Sequence, residues 1–330
     1  MERPALPCLE LARDASATGA LMSDAPQPRL AAVLLAFAAL YLIWGSTYLG
    51  IRFAIETLPP FTMAGIRFLI AGVILYAWMR PRNPAPTWPH WRTATIVGAF
   101  LLLGGNGGVS WAEQFVPSGI AALLVATTPM WMVLLDALRP GGVRPSGAVI
   151  IGLGLGLVGI TLLIGPNELG GEPIHLPGAL AVVGAALSWS IGSIYQRSAP
   201  KADATLLNVA MQMVTGGALL LIVGLLLGER IDVAAVSMKS IGALAYLIVV
   251  GALIGYSAYV WLLKVSTPAR VSTYAYVNPV VAVILGWALA NEPLGPRVLA
   301  AGAAVVLAVA LITIARTPSP PPPTVSAASR

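Results

Sequence analysis

Ten apolar stretches of about 20 residues each constrain this chain more than any other feature, because a helix of that length crosses the ~30 Å hydrocarbon layer of a membrane. Of the residues, 58% are hydrophobic and only 10% are charged, which is too little charge for a water-facing surface. We therefore predict an all-α polytopic membrane protein with ten transmembrane helices. The stretches lie approximately at 30–50, 60–79, 92–112, 118–138, 146–164, 177–196, 205–227, 241–263, 270–290 and 297–315.

The basic residues predict how these helices are oriented. If the N-terminus is cytoplasmic, 14 of the 19 Lys and Arg residues fall on the cytoplasmic side, 4 fall outside and Arg67 lies within a span. The positive-inside rule then places both termini in the cytoplasm. The net charge of +6 reflects topology signals in many loops rather than a nucleic-acid-binding patch.

The two halves of the chain match each other weakly at an offset of about 145–150 residues. Residues 44–46 (WGS) resemble 189–193 (WSIGS), and 127–129 (TTP) resemble 277–279 (VNP). Each half holds five spans, and because five is odd, the second half should enter the membrane from the opposite side. Two inverted five-helix repeats that enclose a midplane substrate site are a common transporter construction.

These patterns predict five segments of the chain. The final segment is rich in Pro and Ser and predicted to be disordered, whereas the first lacks the apolar core of a cleavable signal peptide. Met22 is a second plausible translation start, so it stays open whether 1–21 are translated. The segments are a cytoplasmic tail at 1–29, a five-helix repeat at 30–165, an extracytoplasmic linker at 166–176, a second repeat at 177–315 and a cytoplasmic tail at 316–330.

Several strings occur in order along residues 30–315: 43–48 (IWGSTY), 63–68 (MAGIRF), 105–107 (GNG), 116–122 (VPSGIAA), 188–195 (SWSIGSIY) and 274–281 (YAYVNPVV). This ordered set resembles the EamA-type members of the drug/metabolite transporter superfamily, in the YedA-like branch of bacterial permeases. The resemblance implies a secondary carrier of the inner membrane with a cavity lined by spans 1, 3, 4, 6, 8 and 9. It also implies export of a small organic metabolite or drug.

The chain departs from the family at one loop. Many family halves carry an acidic residue before their last helix. The second half has Glu292 there, but the first half has 139–142 (RPGG). That loop is therefore a weak candidate for a mechanism shared by both halves.

Polar and aromatic side chains at mid-span depth are the candidate substrate contacts, because their polar groups find no water there and must face a cavity or a neighbouring helix. Trp44 and Trp189 occupy related positions of the two halves, which favours a pair that lines the cavity; ordinary helix packing is the alternative. The predicted cavity residues are Trp44, Ser46, Tyr48, Asn106, Ser110, Thr128, Trp131, Trp189, Ser193, Tyr274 and Asn278.

Glycines and prolines interrupt several spans. The string 104–108 (GGNGG) predicts either a bend that exposes Asn106 or tight helix packing. Pro129 and Pro279 remove backbone donors at matched positions, which indicates a transporter site unless both are merely tolerated kinks. Small residues in spans 5 and 10 predict a close-packed face that serves as a scaffold or a homodimer contact.

Arg67 is the only basic residue well inside a span, so it should point inward and find an anion. Glu113, at the outer end of the third span, lies at comparable depth. We therefore predict an Arg67–Glu113 ion pair, with Glu113 as a candidate coupling group. The alternatives for Arg67 are snorkelling and the binding of an anionic substrate group.

The chain has one Cys and two His, so we predict no metal site or cofactor. It has no phosphate-binding Gly-Lys-Ser/Thr string and no nucleophile motif. We expect a transporter of a small molecule, not an enzyme, that works by alternating access. An integral-membrane enzyme for a lipid-linked substrate and a membrane sensor are the rival classes. Export against import, and proton antiport against uniport or exchange, stay open.

Overall fold

The structure is a computed structural model that describes residues 30–138, 145–164, 175–266, 271 and 273–316. The predicted tail at 1–29, most of the tail at 316–330, the loop at 139–144 and most of the linker at 166–176 lie outside the described residues.

The described residues form ten apolar helical segments and no strand. Eight of them are long and apolar enough to cross a membrane, whereas α5 and α9 are shorter apolar helices. The all-helical polytopic class is thereby confirmed, and the number of crossings stays a prediction. The segments are α1 Leu30–Ala54, α2 Pro60–Met79, α3 Trp88–Ala112, α4 Ser118–Leu138, α5 Gly147–Ile164, α6 Leu176–Ser198, α7 Thr205–Leu226, α8 (Met238–Tyr246, Leu247–Ile254 and Gly255–Val265), α9 Tyr274–Ala290 and α10 Pro296–Arg316.

Helices of one half pack mainly against helices of the other half. Helix α2 lies along α7, α5 lies along α10, and α4 contacts α9. In addition, α1 packs against α8 and α9, while α6 packs against α3 and α4. If each helix is replaced by the one five places along, this set of contacts is reproduced, so the two halves use the same packing scheme.

Glycines permit the close approach of α2 and α7. A Cβ atom added at Gly217 would lie 2.6 Å from the Leu69 backbone nitrogen, and one added at Gly72 would lie 2.7 Å from the Val214 nitrogen. Both neighbours are backbone atoms of the opposing helix, which cannot turn aside as a flexible side chain can. Backbone-to-backbone contact of this kind is the usual way in which helices associate tightly in lipid.

The small residues of span 5 face α10 within the same chain. A Cβ atom at Gly152 would lie 2.8 Å from Ile312 Cγ1, and one at Gly159 would lie 2.6 Å from Val305 Cγ2. This glycine face therefore acts as internal scaffold, as one of the two interpretations predicts. A homodimer through α5 and α10 stays a prediction. It would have to form through the faces of these helices that do not pack against each other.

Wide turns interrupt α3 and α8 at matched places. Residues Ala99–Gly107 of α3 and Leu247–Ile254 of α8 are π-helical. Asn106 Nδ2 donates to the Leu101 carbonyl oxygen, five residues earlier, at 3.4 Å. The glycine-rich string in α3 thus produces a change of helix type, a feature that often accompanies functional sites.

The two matched prolines have different effects. Helix α4 is interrupted by a turn at residues 126–127, just before Pro129, whereas Pro279 lies inside an unbroken α9. Because Pro129 has no N–H, the Val125 carbonyl loses its helical donor. The Thr128 hydroxyl donates to that carbonyl instead, at 2.6 Å.

We predict that Gly217→Ala lowers the free energy of unfolding by about 1–3 kcal/mol, because the added methyl group meets backbone atoms of α2. Gly154→Ala is the matched control, since nothing lies within 4 Å of its added Cβ; it should be neutral or stabilising by up to ~1 kcal/mol. Chemical unfolding of the detergent-purified protein measures both. Equal stability of the two variants would contradict the close approach of α2 and α7.

Candidate substrate site

The two mid-span tryptophans each pack on a glycine of the opposite half. A Cβ atom added at Gly255 of α8 would lie 2.5 Å from Trp44 Nε1, and one added at Gly105 of α3 would lie 2.9 Å from Trp189 Cε3. Gly105 belongs to the wide turn of α3, and Gly255 directly follows that of α8. The predicted relation between Trp44 and Trp189 therefore corresponds to matched contacts in the structure.

Trp44 lies within a group of tyrosines that we call the aromatic cluster: Trp44, Tyr256, Tyr259 and Tyr274. The Trp44 ring lies 5.3 Å from both the Tyr256 and the Tyr259 rings and 5.0 Å from the Tyr274 ring, measured between centroids. Trp44 and Tyr274 are predicted site residues. The two tyrosines of α8 were missed, although their spacing of three residues places them on one helix face.

A second matched contact lies one residue beyond each tryptophan. A Cβ atom added at Gly45 would lie 3.1 Å from the carbonyl oxygen of Asn278. In the other half, the Ser190 hydroxyl donates to the carbonyl of Thr128 at 3.1 Å. Asn278 and Thr128 directly precede the two matched prolines, so both prolines lie where the halves cross, although only α4 is interrupted there.

Asn278 and Ser46 make further polar contacts between helices. The Asn278 amide nitrogen is placed to donate to the Tyr41 carbonyl of α1 and to the Tyr274 carbonyl, each at 3.3 Å. Ser46 Oγ shares a hydrogen bond of 2.5 Å with the hydroxyl of Tyr246 on α8. Both predicted residues are therefore engaged at the contacts of α1 with α8 and α9.

The two predicted intramembrane charges are buried but do not bond to each other. Arg67 is 5% exposed and Glu113 is 0% exposed. In the described part of the chain, Arg67 Nε and both Glu113 carboxylate oxygens have no hydrogen-bond partner. The predicted direct ion pair is therefore absent from this conformation.

The surroundings of the two groups explain why they do not meet. Arg67 Nη2 lies 3.4 Å from the position of a Cβ on Gly251, so the guanidinium points toward α8. The carbonyl oxygen of Glu113 accepts a hydrogen bond from Arg52, at the end of α1.

The remaining predicted residues lie elsewhere. Tyr48 packs against the apolar core near Val116, and Ser110 is buried in the last part of α3. Trp131 Nε1 is buried without a hydrogen-bond partner in the described residues. Ser193 is half-buried on α6. Of the predicted set, Trp44, Ser46, Tyr274 and Asn278 lie at the contacts of α1 with α8 and α9, and Thr128 and Trp189 lie at the contacts of α6 with α4 and α3.

A cavity of about 360 Å³ is lined by neither Trp44 nor Trp189. Arg52, Val116, Glu292 and Arg297 are among its lining residues, which come from the ends of α1, α3 and α9 and the starts of α4 and α10. No predicted substrate residue lines it. It is a surface recess beside Glu292 rather than the central cavity that the sequence predicts.

Comparison with known proteins identifies relatives along most of the chain. The model of the EamA-like transporter family matches residues 30–165 and again residues 176–314. The uncharacterized inner membrane transporter YedA of Escherichia coli (strain K12) is 38% identical over 88% of this chain and 94% of its own length. The uncharacterized transporter YvbV of Bacillus subtilis (strain 168) is 27% identical, over 88% of this chain and 93% of its own.

Two further similarities are more distant. A protein of Escherichia coli (strain K12) named "probable amino-acid metabolite efflux pump" is 25% identical over 76% of this chain and 85% of its own. One crystal structure shares the fold, with a TM-score of 0.58, 24% identity, and coverage of 87% of this chain and 98% of that one.

We predict that Glu113→Gln raises the free energy of unfolding by about 1–3 kcal/mol, because it removes a buried charge whose oxygens accept no hydrogen bond. Glu56→Gln is the control, since the Glu56 side chain is 40% exposed; its effect should stay within ~0.5 kcal/mol. Chemical unfolding in detergent measures both variants. A marked loss of stability in Glu113→Gln would mean that the carboxylate has a strong partner in the folded protein.

Proposed function

The chain belongs to the EamA-like transporter family and is a multi-pass inner-membrane transporter, and we propose that it is a secondary carrier built from two inverted five-helix repeats. The family model matches the chain twice, once in each half. The matched helix contacts, with α1 on α8 and α9 and with α6 on α3 and α4, also support two equivalent repeats. In this proposal α5 and α9 cross the membrane as well, and both termini are cytoplasmic.

Alternating access is the proposed mechanism. Each half reaches into the other through one helix that carries a tryptophan: α1 does so with Trp44, and α6 does so with Trp189. Rocking of one half against the other would loosen one of these equivalent contacts while it tightens the other. The substrate would then meet first one end of the carrier and then the other.

The proposed substrate is an amino-acid metabolite that carries both a carboxylate and an ammonium group. The observation that carries this proposal is the pair of buried, opposite charges, Arg67 and Glu113, that are not bonded to each other. A buried polar atom without a hydrogen-bond partner is costly, and a ligand with both charges would offer a partner to Arg67 Nε and to the Glu113 carboxylate. The Arg67 guanidinium lies over the ring of Phe68, and Tyr256 of the aromatic cluster packs against the apolar core that contains Phe68, so the cluster would receive the apolar part of the ligand.

The names of the relatives support this choice. One of them is named as an amino-acid metabolite efflux pump, which agrees with export of such a compound. The relatives are named as transporters, which favours a carrier over an integral-membrane enzyme for a lipid-linked substrate or a membrane sensor.

We predict that a saturating amino-acid ligand, at about 100 times its Kd, stabilises the detergent-purified protein by about 2.7 kcal/mol. A panel of amino acids and their metabolites, followed by thermal unfolding, identifies the ligand. Arg67→Gln should abolish the shift, whereas Arg197→Gln, at the exposed end of α6, should retain it. If no zwitterion stabilises the protein and an uncharged compound does, the proposed substrate class is wrong.

We also propose Glu113 as the group that couples transport to protons. In proteoliposomes with an imposed pH gradient, the wild type should accumulate substrate against its concentration. Glu113→Gln should lose this gradient-driven uptake, because a permanently neutral side chain cannot release a proton. It should keep exchange of labelled for unlabelled substrate only at a higher substrate concentration, because the ammonium group loses its charged partner. Equal uptake by the wild type with and without the gradient would remove the coupling role and leave uniport or exchange.

A further inference from the structure

Two glutamates cap the N-termini of helices α2 and α4. The Glu229 carboxylate accepts hydrogen bonds from the backbone N–H groups of Phe61 at 3.1 Å and Thr62 at 2.7 Å. The Glu292 carboxylate accepts from the N–H groups of Ser118 at 2.7 Å and Gly119 at 3.0 Å. The first N–H groups of a helix have no partner within that helix, and the helix dipole attracts negative charge there. Each carboxylate therefore accepts hydrogen bonds from the unpartnered N–H groups and also supplies the negative charge that the helix dipole attracts.

The two contacts are built in the same way. Glu229 follows the end of α7 and Glu292 follows the end of α9, each directly after a residue with positive φ: Gly228 at 77° and Asn291 at 53°. The backbone N–H groups of the two glutamates return to the carbonyls of Gly224 and Gly286, at 2.9 Å and 3.1 Å. The left-handed residue reverses the chain at the end of the helix, so the following glutamate faces the neighbouring helix.

Glycine makes room for each carboxylate. A Cβ atom added at Gly224 would lie 2.8 Å from Glu229 Oε2, and one added at Gly286 would collide with Glu292 Oε2. A side chain at either position would displace the carboxylate from the helix that it caps. The contact therefore depends on the glycine as much as on the glutamate.

Both contacts join the two halves, and both lie at one end of the molecule in the proposed topology. The glutamates belong to the second half, whereas the helices that they cap, α2 and α4, belong to the first. The two carboxylates therefore tie the first half to the second at the outer end.

We propose that Glu229 and Glu292 are the gate residues of the extracytoplasmic face, an inference that rests on the proposed carrier function. While both carboxylates cap α2 and α4, the halves are held together at the outer end. Release of both frees the first half to move away and opens a path from outside toward Ser110 and Glu113.

The outer end also offers a matched control. Lys239 Nζ lies 2.6 Å from Glu56 Oε1, and this ion pair likewise joins the second half to the first. Its side chains are 51% and 40% exposed, and exposed ion pairs contribute little to stability. Glu56→Gln removes the same charge from the same face without releasing a helix N-terminus.

The test measures how often the outer end opens. Ser110, which is 1% exposed, is replaced by cysteine in a Cys8→Ser background, and intact cells are treated with a membrane-impermeant maleimide. The Glu229→Gln/Glu292→Gln double variant should raise the labelling rate at least about tenfold, because each amide keeps one acceptor oxygen and turns a donor toward the helix N–H groups. Glu56→Gln should stay within about twofold of the parent.

A second variant distinguishes opening of the outer end from misfolding as the cause of faster labelling. Gly286→Ala displaces the Glu292 carboxylate while leaving the glutamate in place, and it should also raise the labelling rate. Substrate-dependent thermal stabilisation of each variant shows that it is folded. If folded Gln variants are labelled at the parental rate, the gate proposal is overturned and the transporter stands.

Cysteines placed in two loops distinguish a wrong gate proposal from a wrong topology of the proposed carrier. Ala234→Cys, in the exposed connection between α7 and α8, should be labelled from outside, and Ser198→Cys, at the exposed end of α6, should be protected in intact cells. The reverse result for this pair would overturn the proposed topology, and the gate proposal with it.

Discussion

Close backbone contact between helices of opposite halves is the constraint on which the rest of this structure depends. In lipid, apolar side chains gain little by leaving one apolar environment for another, so helices associate through shape and through short polar contacts. Here α2 and α7 touch through Gly72 and Gly217, and α1 and α6 lay their tryptophans on glycines of the opposite half. Each half is thereby incomplete without the other, which is what a carrier that moves by rocking requires.

Electrostatics is arranged differently around the two helix-capping glutamates and around Arg67 and Glu113. Glu229 and Glu292 each accept two backbone N–H groups, so their charges are well compensated. Glu113 and Arg67 are buried with unsatisfied polar atoms in the described part of the chain. A compensated charge stabilises one conformation, whereas an uncompensated one leaves binding energy to be gained when a ligand or a proton arrives. The same residue types thus serve a structural role in one place and a proposed transport role in another.

Sequence reasoning predicted the helices well because lipid demands long apolar runs, and those are visible in the chain. It also matched Trp44 with Trp189 and Pro129 with Pro279, and these pairs do occupy equivalent contacts. It predicted Tyr274 but not the other two neighbours of Trp44, because Tyr256 and Tyr259 lie in a span that has no motif typical of a site. The Arg67–Glu113 pair was wrong as a direct contact because similar depth in the membrane does not specify which way a side chain points. The role of Glu229 was missed because capping joins residues that are far apart in sequence.

The wide turns of α3 and α8 have a consequence for the history of the chain. A π-helical turn holds about one residue more than the α-helical turn it replaces. Two wide turns that arose independently at corresponding places, one containing and the other directly preceding the glycine that receives a tryptophan, would be a coincidence. One ancestral gene that already carried the extra residue, and was then copied and joined to itself, accounts for both. The glycine and the tryptophan would then first have met between two separate copies of that shorter polypeptide.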